Sequence, residues 1–530
     1  MNTGILRAAA LALGAGGVLL LFDGTVAAQN GSSFLDASRS AIDYTVATTR
    51  PAVACESLRS LTGHDFSIVS ATVVETTPEV PEHCRLFGVI PPEIRFNVNL
   101  PTGWNGRFYM HGNGGYAGDP PESAGAQRTA GRAVAQGFAT AYTDTGHDNR
   151  VEPLGTFAHD NLGKEIDYAF RAVHLTTVTA KTLIGTYYGT AERFAYWDGC
   201  STGGRQGLIS AQRFPDDFDG ILAGAPVLNF TDIQIAYVWN NQALERHPLN
   251  PARMSLVGEA VYARCDATDG LEDGLITDPR ACDFDPARHL EVCGGSSDGG
   301  GNAAGCFSAG EIETLQAIYG GAMRNGTPFF PGQPVGAEAG NGWNRWIVSD
   351  GGQTLGLTFA ETFFKYLAFT PDDPDHDWRD FDFETDPDRV TIREMLDATD
   401  PDLSAFHAAG GKMITHFGWA DTALNPMMGV DYYEDVRATM GEAKAADVYR
   451  LFMVPGMFHC RGGIGTDRFD ALTPLVNWVE GGTAPDQIAA ARVENGVVTR
   501  TRPLCPYPQV ATYTGSGSID DASNFVCGLP

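Results

Sequence analysis

The stretch G-C-S-T-G at residues 199–203 constrains this chain more than any other feature. It is preceded by RFAYWDG (193–199), apolar and aromatic enough for a buried strand, and followed by GGRQGLISAQRF (203–214), which reads as a helix. Strand, sharp glycine-flanked turn and helix form the setting in which a Gly-x-Ser-x-Gly pentapeptide presents a serine hydroxyl as nucleophile. Side chains at the glycine positions would cover Ser201. Alone the pentapeptide is weak, since Gly and Ser are common loop residues; its flanking elements favour the nucleophilic reading. Its oddity is Cys200, an oxidisable thiol beside a reactive hydroxyl.

The chain begins MNTGILRAAALALGAGGVLLLFDGTVAAQN, with Arg7, an apolar run broken by Gly14, Gly16 and Gly17, and Val26-Ala27-Ala28 as a small-residue cleavage site. That layout predicts a signal peptide over 1–28, and no later segment has the roughly 18 consecutive apolar residues of a membrane span. The expected mature protein is soluble, secreted or periplasmic, and free of the membrane. A net charge of -29 argues against nucleic acid, whose phosphates need a basic face. Ten cysteines in an oxidising compartment favour five disulfides. Counting does not set the pairing, but sequence neighbours suggest Cys55–Cys84, Cys265–Cys282, Cys293–Cys306 and Cys505–Cys527, which would leave Cys200 and Cys460 for each other.

A nucleophilic serine on an α/β sheet needs an acid and then a histidine further along the chain. GKMITHFGWADTALNP (411–426) reads as a strand leading into a loop with Asp421, and VYRLFMVPGMFHCRGG (448–463) as a strand followed by His459. Both lie just beyond a strand's C-terminal end, where catalytic groups gather in such sheets. Rivals are His416, expected as a packed and hydrogen-bonded core residue, Asp198, too close to Ser201 in sequence, and Asp402. RFYMHGNGGYAG (107–118) reads as a strand and a glycine-rich loop. Backbone N–H groups of Gly114 or Gly115, with that of Thr202, are candidates to hold an oxyanion. The expected fold is an α/β-hydrolase core. At 530 residues the chain exceeds one simple core, and residues 226–402 read as an insertion between core parts 29–225 and 403–530.

Cys200-Ser201, Asp421 and His459-Cys460 together resemble the Cys-Ser/Asp/His-Cys signature of the tannase and feruloyl esterase family. The resemblance runs from about Cys55 to Cys527. It implies a Cys200–Cys460 bond tying the serine loop to the histidine loop, a lid domain formed by the insertion, and hydrolysis of aromatic acid esters such as feruloyl, galloyl or mono(2-hydroxyethyl) terephthalate esters. In CDATDGLEDGLITDPRAC (265–282), Asp266, Asp269 and Asp273 crowd one glycine-containing loop, where a hard cation would relieve their repulsion. The family's calcium site further implies carbonyl ligands at Leu271 and Leu275. The closing glutamate of an EF-hand is missing, and the bland reading of this loop is a solvated acidic turn.

CGGSSDGGGNAAGC (293–306) reads as a flexible loop, and the sequons at Asn30, Asn229 and Asn325 carry little weight. The aromatic residues of GWNRWIVSDGGQTLGLTFAETFFKYLAF (342–369) are expected mainly in the lid core, with Arg345 or Lys365 as candidates to join a few of them at an acyl pocket. The reading is a serine esterase acting through an acyl-enzyme, with no organic cofactor. The alternatives are a terephthalate-monoester hydrolase of the same family, a serine peptidase, and a calcium-dependent binding protein on an inactive hydrolase scaffold.

Overall fold

The apolar runs around the serine elbow lie side by side in one sheet. The computed structural model describes residues 33–293 and 305–530; the expected signal peptide at 1–28, Asn30 and most of the glycine-rich loop fall outside them. The sheet contains β1 (Ser67–Val74), β2 (His83–Ile90), β3 (Ile94–Pro101), β4 (Arg107–His111), β5 (Ala139–Thr143), β6 (Phe194–Cys200), β7 (Gly220–Gly224), β8 (Lys412–Gly418) and β9 (Tyr449–Val454), in the order β1-β2-β3-β5-β4-β6-β7-β8-β9. β1, β2, β3 and β5 pair antiparallel. From β5 through β9 every pairing is parallel. This is an α/β-hydrolase sheet.

The central strands β4, β5 and β7 are buried along their whole length. Both faces are covered, which is why these strands read as continuous apolar runs. Successive residues supply opposite cores. Phe108, Met110, Trp197, Ile221 and Leu451 join one cluster, while Tyr109, Tyr196, Leu222, Ile414 and Phe452 join the other. The first face is covered by α1 (Ala172–Tyr188) and α2 (Thr202–Arg213), the second largely by α3 (Leu472–Gly481).

β7 and β8 are paired neighbours, yet the chain leaves the sheet between them and returns only at Lys412. The excursion carries α4 (Phe230–Arg246), α5 (Met254–Cys265), α6 (Ala309–Gly320) and α7 (Leu355–Tyr366). It has a small core of its own around Val257, Val261, Leu315, Ile318 and Trp343. Its helix α4 also joins the main core through Phe230, Ile233 and Tyr237. After β9, two small antiparallel sheets close the chain, and Cys505–Cys527 lies at the second. All five disulfides occur in the expected pairs and no cysteine is free. Among the described residues, no helix is long and apolar enough to cross a membrane.

Candidate active site

Ser201 sits between the end of β6 and the start of α2 at φ 64° and ψ -123°, a conformation L-residues rarely adopt. Such strain costs roughly 1–3 kcal/mol and persists only where the surroundings enforce it. Here the Ser201 N–H donates to Gly224 O at 2.9 Å, and its carbonyl accepts from Arg205 N–H at 3.0 Å. The flanking glycines are demanded by crowding. A Cβ on Gly199 would lie 2.5 Å from the backbone of Gly203, and one on Gly203 would lie 3.1 Å from Asn113 O. Strand end, helix start and glycine-rich loop meet where only hydrogen atoms fit.

Asp421 follows β8 and is fully buried. Its Oδ1 accepts the N–H groups of Ala423 and Leu424, both at 2.9 Å, and its Oδ2 lies 2.8 Å from His459 Nδ1. His459 follows β9, and its neighbour Cys460 is bonded to Cys200 with Cα atoms 6.1 Å apart. Ser201 and His459 therefore each stand one residue from the same cystine. With Nδ1 held by a carboxylate, Nε2 is the ring nitrogen left to exchange a proton. The acid loop is also gripped by the inserted segment, which the sequence does not foretell. Gln333 donates to Asp421 O at 2.9 Å, Thr422 donates to Gly342 O at 2.6 Å, and Tyr237 OH donates to Ala423 O.

The rivals lie elsewhere. His416 is buried on the opposite core, edge-on to Phe469 at 5.0 Å, and burial pushes its pKa down to about 4. The expectation that it is hydrogen-bonded fails at Nδ1, which is buried and has no partner among the described residues. Asp198 accepts from Ser33 and Tyr109 hydroxyls at 2.6 and 2.9 Å. Asp402 is exposed and accepts the Ser404 N–H.

The glycine-rich loop is pinned against α2. Gly112 N–H donates to Asp198 O at 3.0 Å and Asn113 N–H to Gln206 Oε1 at 3.0 Å, so these two amides are already engaged. Gly114 and Gly115 follow. Gly115 O accepts from Thr202 Oγ1 at 2.5 Å and from Tyr168 OH at 3.2 Å. That brings the Gly115 peptide beside Thr202, whose own N–H opens α2 at the positive end of the helix dipole. Arg205 supports this corner and was not singled out from sequence. It is fully buried, packs over the Tyr168 ring at 4.8 Å and donates to carbonyls of Tyr168, Ala169 and Leu396. Its signal was an arginine inside the GGRQG helix start, indistinguishable there from a solvated one.

Two aromatic residues of the inserted segment flank this centre. Trp346 stands edge-on to His459 at 6.2 Å and tilts against Phe359 at 5.7 Å. Phe359 stacks on Tyr116 at 5.2 Å, with its ring edge 3.4 Å from where a Gly115 Cβ would be. An aromatic face thus runs from the glycine loop to the imidazole. Arg345 is exposed, and Lys365 is engaged by Glu361 at 2.8 Å.

In the aspartate loop, Asp266 accepts from Gly274 N–H at 3.0 Å, Asp269 from Leu271 N–H at 3.0 Å, and Asp273 from Leu275 N–H at 3.1 Å. Asp273 also meets the Arg502 guanidinium, a partner the sequence did not suggest. Gly270 and Gly274 take φ 88° and 77°, turning the chain back on itself between the carboxylates. The donors are all oxygen, which suits a hard cation.

The family described as "Tannase and feruloyl esterase" matches residues 79–528 of the chain. A mono(2-hydroxyethyl) terephthalate hydrolase of Piscinibacter sakaiensis is 35% identical, over 90% of this chain and 92% of its own. Feruloyl esterase B of Aspergillus niger is 29% identical, over 81% of this chain and 82% of its own. The crystal structure of feruloyl esterase B from Aspergillus oryzae superposes with a TM-score of 0.77 at 26% identity, covering 89% of this chain and 99% of that one.

Proposed function

The chain belongs to the tannase and feruloyl esterase family and is a carboxylic ester hydrolase; from that premise we propose that it cleaves esters of aromatic carboxylic acids through an acyl-enzyme on Ser201. The observation that carries the reading is the continuous link Asp421–His459–Cys460–Cys200–Ser201. His459 Nε2 takes the Ser201 proton as Oγ adds to the ester carbonyl. The N–H groups of Thr202 and of Gly114 or Gly115 receive the oxyanion. The tetrahedral adduct collapses, the C–O bond to the alcohol breaks, and His459 gives that alcohol its proton. Water then repeats the sequence and releases the acid, while Asp421 balances the imidazolium.

Residues 226–402 act as the lid in this reading, and Trp346 with Phe359 form the wall of an acyl pocket for a flat ring. A terephthalate monoester is the second candidate, favoured by the identity to the Piscinibacter sakaiensis hydrolase. Export follows from the signal-type leader and is supported by five disulfides. Calcium would be held by Asp266, Asp269 and Asp273 with carbonyls of Leu271 and Leu275, supplying charge neutralisation between the inserted segment and the C-terminal strands.

The test compares kcat/KM for methyl ferulate, methyl gallate, mono(2-hydroxyethyl) terephthalate and an alkyl acetate. Preference for an aromatic acid is expected, and Ser201→Ala should lower kcat by about 10⁴–10⁶-fold with unchanged circular dichroism. Equal rates on the acetate, or an active Ser201→Ala enzyme, would overturn the proposal.

A further inference from the structure

The loop that carries Asp421 is met by the inserted segment at four of its five residues. Gln333 Nε2 donates to Asp421 O at 2.9 Å, Thr422 Oγ1 donates to Gly342 O at 2.6 Å, and Tyr237 OH donates to Ala423 O. Asn425 Nδ2 donates to Pro331 O at 2.8 Å and to Gly332 O at 2.9 Å. These bonds bear on the carboxylate itself, because Asp421 Oδ1 accepts the Ala423 N–H at 2.9 Å. Ala423 is thus held by Asp421 through its amide and by Tyr237 through its carbonyl.

The inserted segment presents its donors from seated positions. Gln333 N–H donates to Ile318 O at 3.0 Å, and a Cβ on Gly332 would collide with Tyr319 O, so this strap lies flush on the end of α6. Tyr237 is buried on α4 and packed so closely that a Cβ on Gly356 would lie 2.7 Å from its ring. It stacks on Trp346 with ring centroids 6.3 Å apart, and Trp346 is the ring edge-on to His459 at 6.2 Å. One tyrosine therefore touches both the acid loop and the aromatic wall.

Resting on the reading of Ser201, Asp421 and His459 as a triad, we propose that Gln333 and Tyr237 are positioning residues for the acid. The inserted segment then does more than wall the acyl group: it holds Asp421 in register with His459. Removing either donor leaves a carbonyl of the acid loop without its partner, and the loop shifts to find another. A displacement of about 1 Å at a catalytic pair costs on the order of a hundredfold in rate. Gly342, Pro331 and Gly332 hold the loop through backbone carbonyls, which substitution leaves in place. Gln333 and Tyr237 hold it through side chains, which substitution removes.

The experiment uses the full-length protein with Gln333→Met and Tyr237→Phe, singly and together. Methionine keeps the length of glutamine, and phenylalanine keeps the stacked ring. kcat and KM are measured for methyl ferulate and for an alkyl acetate, well below the melting transition of variants with unchanged circular dichroism. Each single change should lower kcat about three- to tenfold and the pair about thirty- to a hundredfold, equally on both esters, with KM changed less than about twofold. Residues of an acyl pocket would instead raise KM for methyl ferulate and spare the acetate. In an Asp421→Asn protein, itself slowed about 10⁴-fold, the pair should cost less than about twofold more, because nothing is left to position. If the pair folds poorly, Gln333→Met alone decides. A folded variant with unchanged kcat, a loss confined to methyl ferulate, or an undiminished loss in the Asp421→Asn background overturns the proposal, while an inactive Ser201→Ala protein leaves the esterase reading standing. An Asp421→Asn protein with near wild-type kcat overturns the triad reading and this proposal together.

Discussion

Phe359 and Asp198 show what single side chains do in this molecule. Phe359 offers a ring to the acyl group without touching the proton relay, so its loss should discriminate between substrates. Removing one stacked aromatic costs about 1–1.5 kcal/mol, so Phe359→Ala should lower kcat/KM for methyl ferulate about tenfold relative to an alkyl acetate. An equal loss on both would make Phe359 scaffold only. Asp198 is a buried carboxyl raised to about 6 by desolvation, with Ser33 and Tyr109 hydroxyls opposing the rise. A raised carboxyl binds a proton in the folded state that the unfolded chain has released. Its stabilising contribution is therefore complete below the unfolded pKa near 4 and is lost as pH rises through about 6. Asp198→Asn cannot ionise, so its Tm should fall less than that of the wild type between pH 4 and 7. The difference is bounded by on the order of 3 kcal/mol, and parallel Tm curves would assign the pH dependence to other groups.

At the scale of elements, the cystine joins two loops that the sheet alone would leave independent. Its ends are 260 residues apart, and closing so long a loop stabilises by roughly 5 kcal/mol in the chain-entropy model. Position matters more than that stability, because a displacement of about 1 Å at a catalytic pair costs on the order of a hundredfold in rate. Replacing Cys200 and Cys460 together by Ala keeps Ser201, Asp421 and His459 in place in the sequence but removes the tie. Well below the variant's melting transition, kcat should fall about ten- to a hundredfold with KM less affected. A folded variant with unchanged kcat would reduce the cystine to a fastener. The elbow itself was legible because a Gly-x-Ser-x-Gly turn is written in five adjacent residues. The grip of Gln333, Gly342 and Tyr237 on the acid loop was not, since it joins segments 80 to 186 residues apart.

Across the whole molecule, the aspartate loop is where the inserted segment meets the C-terminal strands. Arg500 donates to Asp273 O at 2.9 Å while the Arg502 guanidinium meets its carboxylate. A cation bound there would act on both parts at once, so chelation should lower Tm by a few degrees and added Ca²⁺ should restore it. Asp266→Asn should abolish that response. If chelation changes neither Tm nor activity, backbone donors and the two arginines hold the loop unaided.

What the sequence determined by itself was everything carried by neighbours along the chain. The apolar runs at β4, β6, β8 and β9 marked strands. The glycine-flanked Ser201 marked the elbow, and the strand-loop placement of Asp421 and His459 set their order. Adjacency along the chain encodes these directly, through the apolar run of a buried strand and the steric limits of a tight turn. Only the tertiary structure decided which of eight tryptophans and twenty-nine phenylalanines face the serine. It also showed that Arg205 braces Tyr168, whose hydroxyl meets the glycine loop, and that Arg502 reaches Asp273. Those outcomes depend on how distant segments pack, and an aromatic or a cation destined for the core reads, in one dimension, like any other.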